Sequence, residues 1–188
     1  MDDRYFSDKF QVMPLNGYHR LFEKILNHPN ITIKLKTDFK NIKNKVDYKR
    51  LIYTGCIDEF FNFKFDRLPY RSLNFKYENY TKEYYQDCCQ VNYPNNYKFT
   101  RIVEIKHATG QKCPNTTIAK ERPCSEGEPY YPVPKRENYL LYEKYRKETE
   151  KLKNTIFIGR LANYKYLNMD EVVERTLEAF KKLKDEIF

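Results

Sequence analysis

The chain has 188 residues, which suits one domain or two small ones and is long enough to bury a sizeable core. Its 35 Lys and Arg outnumber its 26 Asp and Glu, and the net charge of +9 favours anionic partners. No apolar run approaches the roughly 20 residues of a membrane helix, and the acidic start MDDRYF lacks the pattern of a signal peptide. We therefore expect a cytoplasmic protein without a membrane partner.

The cysteines and histidines predict no metal site. Five cysteines are an odd number, they lack CxxC spacing, and the three histidines show no metal-ligand spacing. We expect free thiols at Cys56, Cys88, Cys89, Cys113 and Cys124.

The first third of the chain predicts a helix, two strands and a loop. Apolar residues at helical spacing predict a helix that starts near Gly17 and stops before Pro29. The alternating stretch ITIKLKT predicts a strand, and YKRLIYTG predicts a buried strand that ends at Gly55. The aromatic-rich residues 56–73 after it predict a loop.

The middle of the chain predicts an antiparallel sheet. Alternation predicts strands over Tyr70–Tyr80 and Phe99–Ala108, paired in one sheet with the shorter stretch NTTIAKE beside them. The segment PYYPVPKREN has three prolines in six residues, which excludes regular structure there.

The last third predicts helix, strand and helix. The segments are NYLLYEKYRKETEKLK, NTIFIG and MDEVVERTLEAFKKLKDEIF, with Asn168 as N-cap of the last helix. Two apolar strands, LIYTG and IFIGR, each end in a glycine although they are far apart in the chain. This layout predicts one split domain with a sheet inserted into it, and the chain lacks a GxGxxG phosphate-binding turn.

Four ordered motifs resemble one family: YTGCIDEFFNFKFDRLPYRSLNF, FTRIVEIKH, EPYYPV and GRLANYKYLNMD. They resemble the UDP-galactopyranose mutases, flavoenzymes that interconvert UDP-galactopyranose and UDP-galactofuranose. The likeness runs from about Asp2 to about Phe180, but only to the C-terminal half or so of the family. The part with the FAD fingerprint has no counterpart in this sequence.

The resemblance implies a mixed α+β and α/β fold: a partial, Rossmann-like FAD-binding domain with an inserted, mainly antiparallel β-sheet substrate domain. Residues 1–60 and 136–188 fall in the second and last parts of the FAD-binding domain, and residues 61–135 in the substrate domain.

The family's reaction implies catalytic roles for four residues. UDP leaves the sugar and later returns, so its diphosphate needs fixed donors where negative charge grows. Arg101 in FTRI, Tyr131 in PYYP and Tyr166 in YKYLNM match family residues that contact the diphosphate. Glu121 falls near a family glutamate that faces the sugar.

The cofactor implied is FAD, reduced for activity. Arg160 resembles a family arginine whose positive charge stabilises the reduced flavin, and Asn168 stands where many members have an Asp that contacts the cofactor. The resemblance places six residues against FAD: Gly159, Arg160, Tyr166, Leu167, Asn168 and Met169.

We therefore expect a fragment of an isomerase that acts on UDP-galactose in both ring forms, for polysaccharide biosynthesis. This chain alone is expected neither to retain FAD nor to convert the substrate. A homodimer is possible.

One alternative is a basic nucleic-acid-binding module, suggested by the +9 charge and 18 tyrosines, although nothing in the chain is a nucleic-acid motif. Another is an amine-oxidase-like flavoprotein fragment, which would lack FTRI together with PYYP.

Overall fold

The structure is a computed structural model that describes residues 8–187, with side chains as far as residue 184. The expected likeness of the opening residues from Asp2 therefore lies partly outside the described residues. The described chain forms two units. Unit 1 consists of residues 8–41 and 75–122, and unit 2 of residues 42–74 and 123–187.

The elements mix helices and strands along the chain, as the sequence predicts in outline. In order they are α1 (Gly17–Leu26), α2 (Phe39–Ile42), β1 (Leu51–Tyr53), α3 (Ile57–Phe60), β2 (Tyr70–Tyr80), β3 (Gln90–Asn92), β4 (Arg101–Val103), α4 (Lys106–Thr109), β5 (Thr116–Cys124), β6 (Tyr131–Pro132), α5 (Arg136–Thr149), β7 (Thr155–Phe157) and α6 (Met169–Ile187).

Unit 1 is built on the antiparallel strands β3, β4 and β5, with β2 next to β5. Alternation along the strands turns Ile102 and Ile118 inward, where they are 2% and 0% exposed. The predicted strand over Tyr70–Tyr80 and the strand containing NTTIAKE are therefore confirmed, and so is their place in one sheet.

The strand predicted over Phe99–Ala108 is too long. β4 covers only Arg101–Val103, and α4 follows it and ends at Gly110, whose φ of 64° lets its N–H reach the Lys106 carbonyl. The alternation of residue type continues past Val103, where the strand ends. Glu104 does not continue the strand: its side chain faces inward because its carboxylate accepts hydrogen bonds there.

The Glu104 carboxylate is fully buried and organises the chain around it. It accepts hydrogen bonds from the backbone N–H groups of Tyr85 and Gln86, at 2.9 and 3.0 Å, and from the Thr116 hydroxyl. Burial by itself raises the pKa of Glu104, but these hydrogen bonds outweigh it and hold the pKa below its usual value.

The strand predicted for ITIKLKT is wrong. Residues 31–37 form no strand, and Ile33 and Leu35 are 54% and 80% exposed. Lys36 has a φ of 52°, which turns the chain out of the extended conformation. Alternation supplies two faces, but a strand also needs a neighbour for its hydrogen bonds, and the described residues provide none here.

In unit 2, β1 and β7 pair in parallel, with Ile52 beside Ile156. LIYTG and IFIGR are therefore neighbours, as the split-domain layout requires, while the division into domains stays a prediction. The expectation that β1 is buried is wrong, since Ile52 is 57% exposed. Within the described residues this sheet has only two strands. Phe60 packs on Tyr53 and Phe157 at one face, whereas the other face, with Ile52, is exposed, although parallel sheets are usually covered on both.

The core of unit 2 is a cluster of Ile57, Leu68, Tyr145 and Tyr164, each at most 4% exposed. The loop predicted for residues 56–73 in fact includes α3 and the start of β2. α3 forms because Ile57 anchors it in this cluster. The buried Asp58 carboxylate also accepts the Leu68 N–H at 2.9 Å, which folds the following loop back.

The proline-rich segment contains a short strand, contrary to the prediction. Tyr131–Pro132 forms β6 and pairs with the start of β2. Pro132 has no N–H to give, so the residues flanking β6 donate instead: the N–H of Tyr130 to the Arg71 carbonyl and the N–H of Val133 to the Pro69 carbonyl.

The three long predicted helices are confirmed as α1, α5 and α6. Asn168 is the cap of α6: its carbonyl accepts the Val172 N–H, and its own N–H donates to Glu171 at 2.6 Å, one half of a capping box. In the described part of the chain, no helix has the length and apolar character that crossing a bilayer requires.

We expect Glu104→Gln to destabilise the protein by about 1.5–3 kcal/mol near neutral pH, because the amide cannot accept all the bonds of the carboxylate. Since the folded-state pKa is lowered, the contribution of Glu104 is present above the usual pKa of 4.5 and is lost as pH falls through the folded value. Urea unfolding between pH 2 and 7 checks both statements.

Other acids, such as Glu78, whose pKa of about 2 is lowered by hydrogen bonds from Lys120 and Lys76, titrate in the same window. The difference between wild type and Glu104→Gln therefore isolates Glu104. A difference that stayed constant from pH 7 to pH 2 would contradict this role.

Candidate functional site

The chain makes a tight turn directly after β7, at Gly159. Gly159 has a φ of 102°, a conformation that side chains rarely permit. The Asn163 side chain closes the turn, because its Oδ1 accepts the Gly159 N–H at 3.1 Å and its Nδ2 donates to the Phe157 carbonyl at 3.1 Å. The turn therefore begins at a fixed point of the parallel sheet.

The residues after this turn divide between the core and the surface. Tyr164 and Leu167 are both 1% exposed, whereas Tyr166 is 59% exposed and Arg160 is partly buried. The buried pair anchors the segment on the core of unit 2. The other two side chains are thereby presented at fixed positions on its surface.

Tyr131, Arg160 and Tyr166 come together in unit 2. The rings of Tyr131 and Tyr166 stack with centroids 5.6 Å apart and planes 16° apart. The Arg160 guanidinium carbon lies 5.1 Å from the Tyr131 ring centre and 4.9 Å from that of Tyr166. Both distances are within the range of cation–π attraction. We call these three residues the Arg160 cluster.

One donor in the Arg160 cluster has no acceptor. Nη2 of Arg160 donates to the Tyr130 carbonyl at 3.0 Å, but Nε is buried and lacks a hydrogen-bond partner among the described residues. A buried donor left unpaired costs about 1–3 kcal/mol. An anionic or carbonyl ligand at this point would remove that cost, so the residues present fit a bound anionic group.

The start of α6 is less open to a ligand than its sequence suggests. The backbone N–H of Asn168 is already engaged by Glu171, and Asp170 and Glu171 add negative charge to the first turn. The Leu167 side chain is buried in the core, while Met169 is 65% exposed. At this end of α6 the Asn168 side chain, which is exposed, is the polar group that remains to meet a cofactor.

In unit 1, Arg101 and Glu121 face each other on β4 and β5, and Asn92 lies opposite Arg101 on β3. The Arg101 Nε donates to the Asn92 Oδ1 at 3.1 Å, and its Nη1 lies 3.5 Å from the Glu121 Oε2. The Arg101 side chain is 37% exposed and that of Glu121 14%. The guanidinium is therefore held in place from both sides yet reachable from outside.

Sequence reasoning missed three residues that position these groups: Asn92, Tyr130 and Asn163. Asn163 had a usable signal, since Asn soon after a turn glycine often hydrogen-bonds to nearby backbone. Tyr130 acts through its carbonyl, and Asn92 acts through strand register, and neither property can be read from residue type.

No metal site accompanies these groups in the described residues. Three or more His, Cys, Asp or Glu side chains do not come together there in a way that could hold an ion. The five cysteines are free thiols.

Comparison with known proteins identifies the family. The sequence model described as UDP-galactopyranose mutase matches residues 1–166. This covers well over half of the chain, so the chain belongs to the UDP-galactopyranose mutase family.

Three curated relatives are similar over nearly the whole chain. A probable UDP-galactopyranose mutase of Klebsiella pneumoniae is 38% identical over 94% of this chain and 47% of its own length. A dTDP-fucopyranose mutase of Escherichia coli is 34% identical over 94% of this chain and 50% of its own length. A UDP-galactopyranose mutase of Mycoplasma genitalium is 35% identical over 95% of this chain and 49% of its own length. The chain thus spans about half the length of the curated relatives it matches.

We expect Gly159→Ala to destabilise the protein by about 1–3 kcal/mol through backbone strain. An added Cβ at Gly159 would have no heavy atom nearer than Thr54 Cβ, at 4.0 Å, so steric overlap contributes little. Urea unfolding measures the loss, and the nuclear Overhauser effect between the Tyr131 and Tyr166 rings, whose centroids lie 5.6 Å apart, measures the change in the Arg160 cluster.

Gly110→Ala is the matched control, since Gly110 also has a positive φ, of 64°, with open space around its Cβ position. It should lose stability without altering the signal of the Arg160 cluster. A Gly159→Ala protein as stable as wild type would refute the strain argument.

Proposed function

We propose that this chain is the part of a UDP-galactopyranose mutase that binds the diphosphate and faces the flavin, in an isomerase that interconverts UDP-galactopyranose and UDP-galactofuranose. The observation that carries the proposal is the Arg160 cluster, where a buried, unpaired guanidinium N–H lies beside two stacked tyrosines. Family membership supports it independently. Turnover by the chain alone is not part of the proposal.

The tyrosines and Arg101 are proposed to bind the diphosphate. Phenol hydroxyls donate to phosphate oxygens while their rings exclude water, and a guanidinium offers a fixed fork of donors. These contacts matter most when UDP leaves the sugar and the negative charge on its oxygens grows.

Glu121 is proposed to face the sugar while it holds Arg101. The Glu121 Oε2 and the Arg101 Nη1 are 3.5 Å apart, which makes them an ion pair rather than a tight bidentate pair. A diphosphate can therefore compete with Glu121 for the arginine. The carboxylate then becomes available to a sugar hydroxyl.

FAD is the proposed cofactor, and in its reduced form it supplies the nucleophile for the anomeric carbon of the sugar. Arg160 provides a positive charge near the ring, and the turn at Gly159 allows backbone to approach closely. The full proposed set is Gly159, Arg160, Tyr166, Leu167, Asn168 and Met169, in which Asn168 would act through its side-chain amide.

Residues 1–60 and 136–188 are proposed to belong to a partial, Rossmann-like FAD-binding domain, and residues 61–135 to an inserted substrate domain. Two observations support this division: β1 pairs with β7 in parallel, and the sheet of β3, β4 and β5 is antiparallel. The exposed Ile52 face of the two-stranded sheet and the relatives' double length agree with a domain whose other elements lie elsewhere.

A second substrate class has specific support. The relative named dTDP-fucopyranose mutase is nearly as similar as those named for UDP-galactopyranose, so dTDP-linked fucose is the second candidate. Titration with UDP and dTDP in parallel distinguishes the nucleotides.

A salt series with single-stranded DNA tests the nucleic-acid alternative, since that affinity falls steeply with salt. A cytoplasmic location and a homodimer stay predictions.

Activity is best tested in a hybrid where this chain replaces the matching half of the Klebsiella pneumoniae relative. There, Arg101→Ala should lower the turnover of UDP-galactofuranose under reducing conditions by about 10²–10³-fold, as for lost oxyanion donors. Tyr131→Phe and Tyr166→Phe should show smaller losses, because each removes one neutral donor and keeps the ring. Arg160→Ala should instead make the bound flavin harder to reduce.

Thermal unfolding of each variant provides the control. Arg101 is partly exposed, so its removal should change stability little. Near-wild-type turnover of Arg101→Ala would rule out the diphosphate role, and loss of activity explained by unfolding would favour a structural one.

The exposed apolar face of α6 is proposed to contact the remainder of the FAD-binding domain. Along the helix four large apolar side chains share one face and are 57–65% exposed: Met169, Val173, Leu177 and Phe180. Mixing this chain with the unmatched half of the Klebsiella pneumoniae relative should give a complex by gel filtration, and Leu177→Glu should weaken it at least tenfold.

Lys182→Glu, which adds the same group to the other side of α6, is the matched control and should leave the complex intact. Equal complex formation by both variants would mean that the apolar face is not the contact.

A further inference from the structure

We propose that Tyr164 is a positioning residue for the Arg160 cluster: its hydroxyl joins the segment that carries Arg160 and Tyr166 to the segment that carries Tyr131. The inference rests on the proposed function for its catalytic meaning. Its structural part stands on the contacts of Tyr164 alone.

The Tyr164 hydroxyl lies between the two segments and acts as both a hydrogen-bond donor and an acceptor. It donates to the Pro69 carbonyl at 2.5 Å and accepts the Val133 N–H at 3.2 Å, an N–H that the Pro69 carbonyl accepts as well. Val133 follows Tyr131 by two residues, and Tyr164 precedes Tyr166 by two residues. One buried oxygen therefore sets the separation of the two stacked rings.

The Tyr164 ring is equally constrained. It packs edge-on against Tyr70 and Tyr139, with centroids 5.2 and 6.1 Å away, and stacks on Tyr142 at 6.0 Å. The Tyr70 hydroxyl in turn donates to the Leu161 carbonyl at 3.3 Å, next to Arg160. The segment after Gly159 is thus held at two points, by the buried Tyr164 and by the partly buried Tyr70.

The backbone of Tyr164 is strained, which is a second and independent observation. Its φ of 44° is uncommon for a bulky residue and persists only where surrounding contacts enforce it. Such strain is often found at sites that require one defined geometry. Here it turns the ring into the core while the neighbouring side chains of the segment stay on the surface.

Loss of the Tyr164 hydrogen bonds should change the geometry of the Arg160 cluster. The guanidinium contacts rings from both segments, at 5.1 and 4.9 Å, so a relative shift of the segments changes both distances. A displacement of 1 Å at a reacting group can cost about 10²-fold in rate.

Tyr145 provides a matched control in the same core. It is 0% exposed, and its hydroxyl also bridges backbone groups, since it donates to the Asp66 carbonyl at 2.6 Å and accepts the Phe65 N–H at 3.1 Å. These partners belong to neither segment of the Arg160 cluster. Tyr145→Phe therefore removes comparable hydrogen bonds without touching the join.

The first experiment uses the 188-residue chain itself. Tyr164→Phe and Tyr145→Phe should both lower the melting temperature. Only Tyr164→Phe should increase amide exchange at Val133, whose N–H then keeps only the Pro69 carbonyl, and abolish the nuclear Overhauser effect between the Tyr131 and Tyr166 rings. If these two signals were the same in both variants, the proposal would be overturned.

The second experiment uses the hybrid enzyme at a temperature where both variants stay folded. Tyr164→Phe should lower kcat by about 10–100-fold, and Tyr145→Phe by less than twofold. Equal kcat values for the two variants would show that Tyr164 has only a structural role and would overturn its proposed effect on catalysis. An unsubstituted hybrid that bound UDP and FAD but was inactive would count against the proposed function, while the exchange and ring signals would still decide the join.

Discussion

The parallel pairing of β1 with β7 is the contact on which the rest of unit 2 depends. The two strands are distant in sequence, so their pairing closes a long stretch of chain and places the Gly159 turn beside Thr54, at the end of β1. Everything that follows the turn is positioned from there: Asn163 locks it, and Tyr164 enters the core. A parallel pair needs a long crossover connection, and here that connection contains the whole antiparallel sheet.

Buried tyrosines carry out most of this positioning, which gives the aromatic composition a physical meaning. A phenol fills space as a large apolar ring and still offers one hydroxyl that can satisfy backbone groups. Tyr145 and Tyr164 use that property in the same cluster, each bonding to backbone groups of a segment distant in the sequence. Burial raises the pKa of Tyr164, so its hydroxyl stays protonated and keeps its hydrogen to donate at any physiological pH.

The sequence predicted most of the fold wherever an element was long or its pattern matched its surroundings. Tyr70–Tyr80 and α5 were found because periodicity and burial agree there, and α6 because its apolar residues recur at helical spacing, although most of them are exposed. ITIKLKT failed because the pattern of a strand says nothing about whether a partner lies beside it. The predicted end of β4 was wrong because Glu104 is an inward-facing carboxylate. It accepts two loop N–H groups, from Tyr85 and Gln86, and alternation along the strand does not show these contacts. Of the site, the roles of Arg101, Tyr131, Arg160 and Tyr166 came from family resemblance rather than from periodicity, whereas Asn92 and Tyr130 depend on register and backbone.

Arg101 in unit 1 and Arg160 in unit 2 are held in opposite electrostatic settings. Arg101 lies beside Glu121, so most of its charge is balanced until a ligand with more negative charge competes for it. Arg160 lies beside the stacked rings of Tyr131 and Tyr166, and the described residues place no carboxylate within ion-pair distance of it. Its buried Nε has no hydrogen-bond partner among the described residues, so Arg160 favours an anion or another acceptor at that point. A balanced arginine suits a group that must be bound and released, and an unbalanced one suits a group whose negative charge must be stabilised in place. This difference supports the proposal that Arg101 binds the diphosphate, which comes and goes, and that Arg160 faces a resident anionic group.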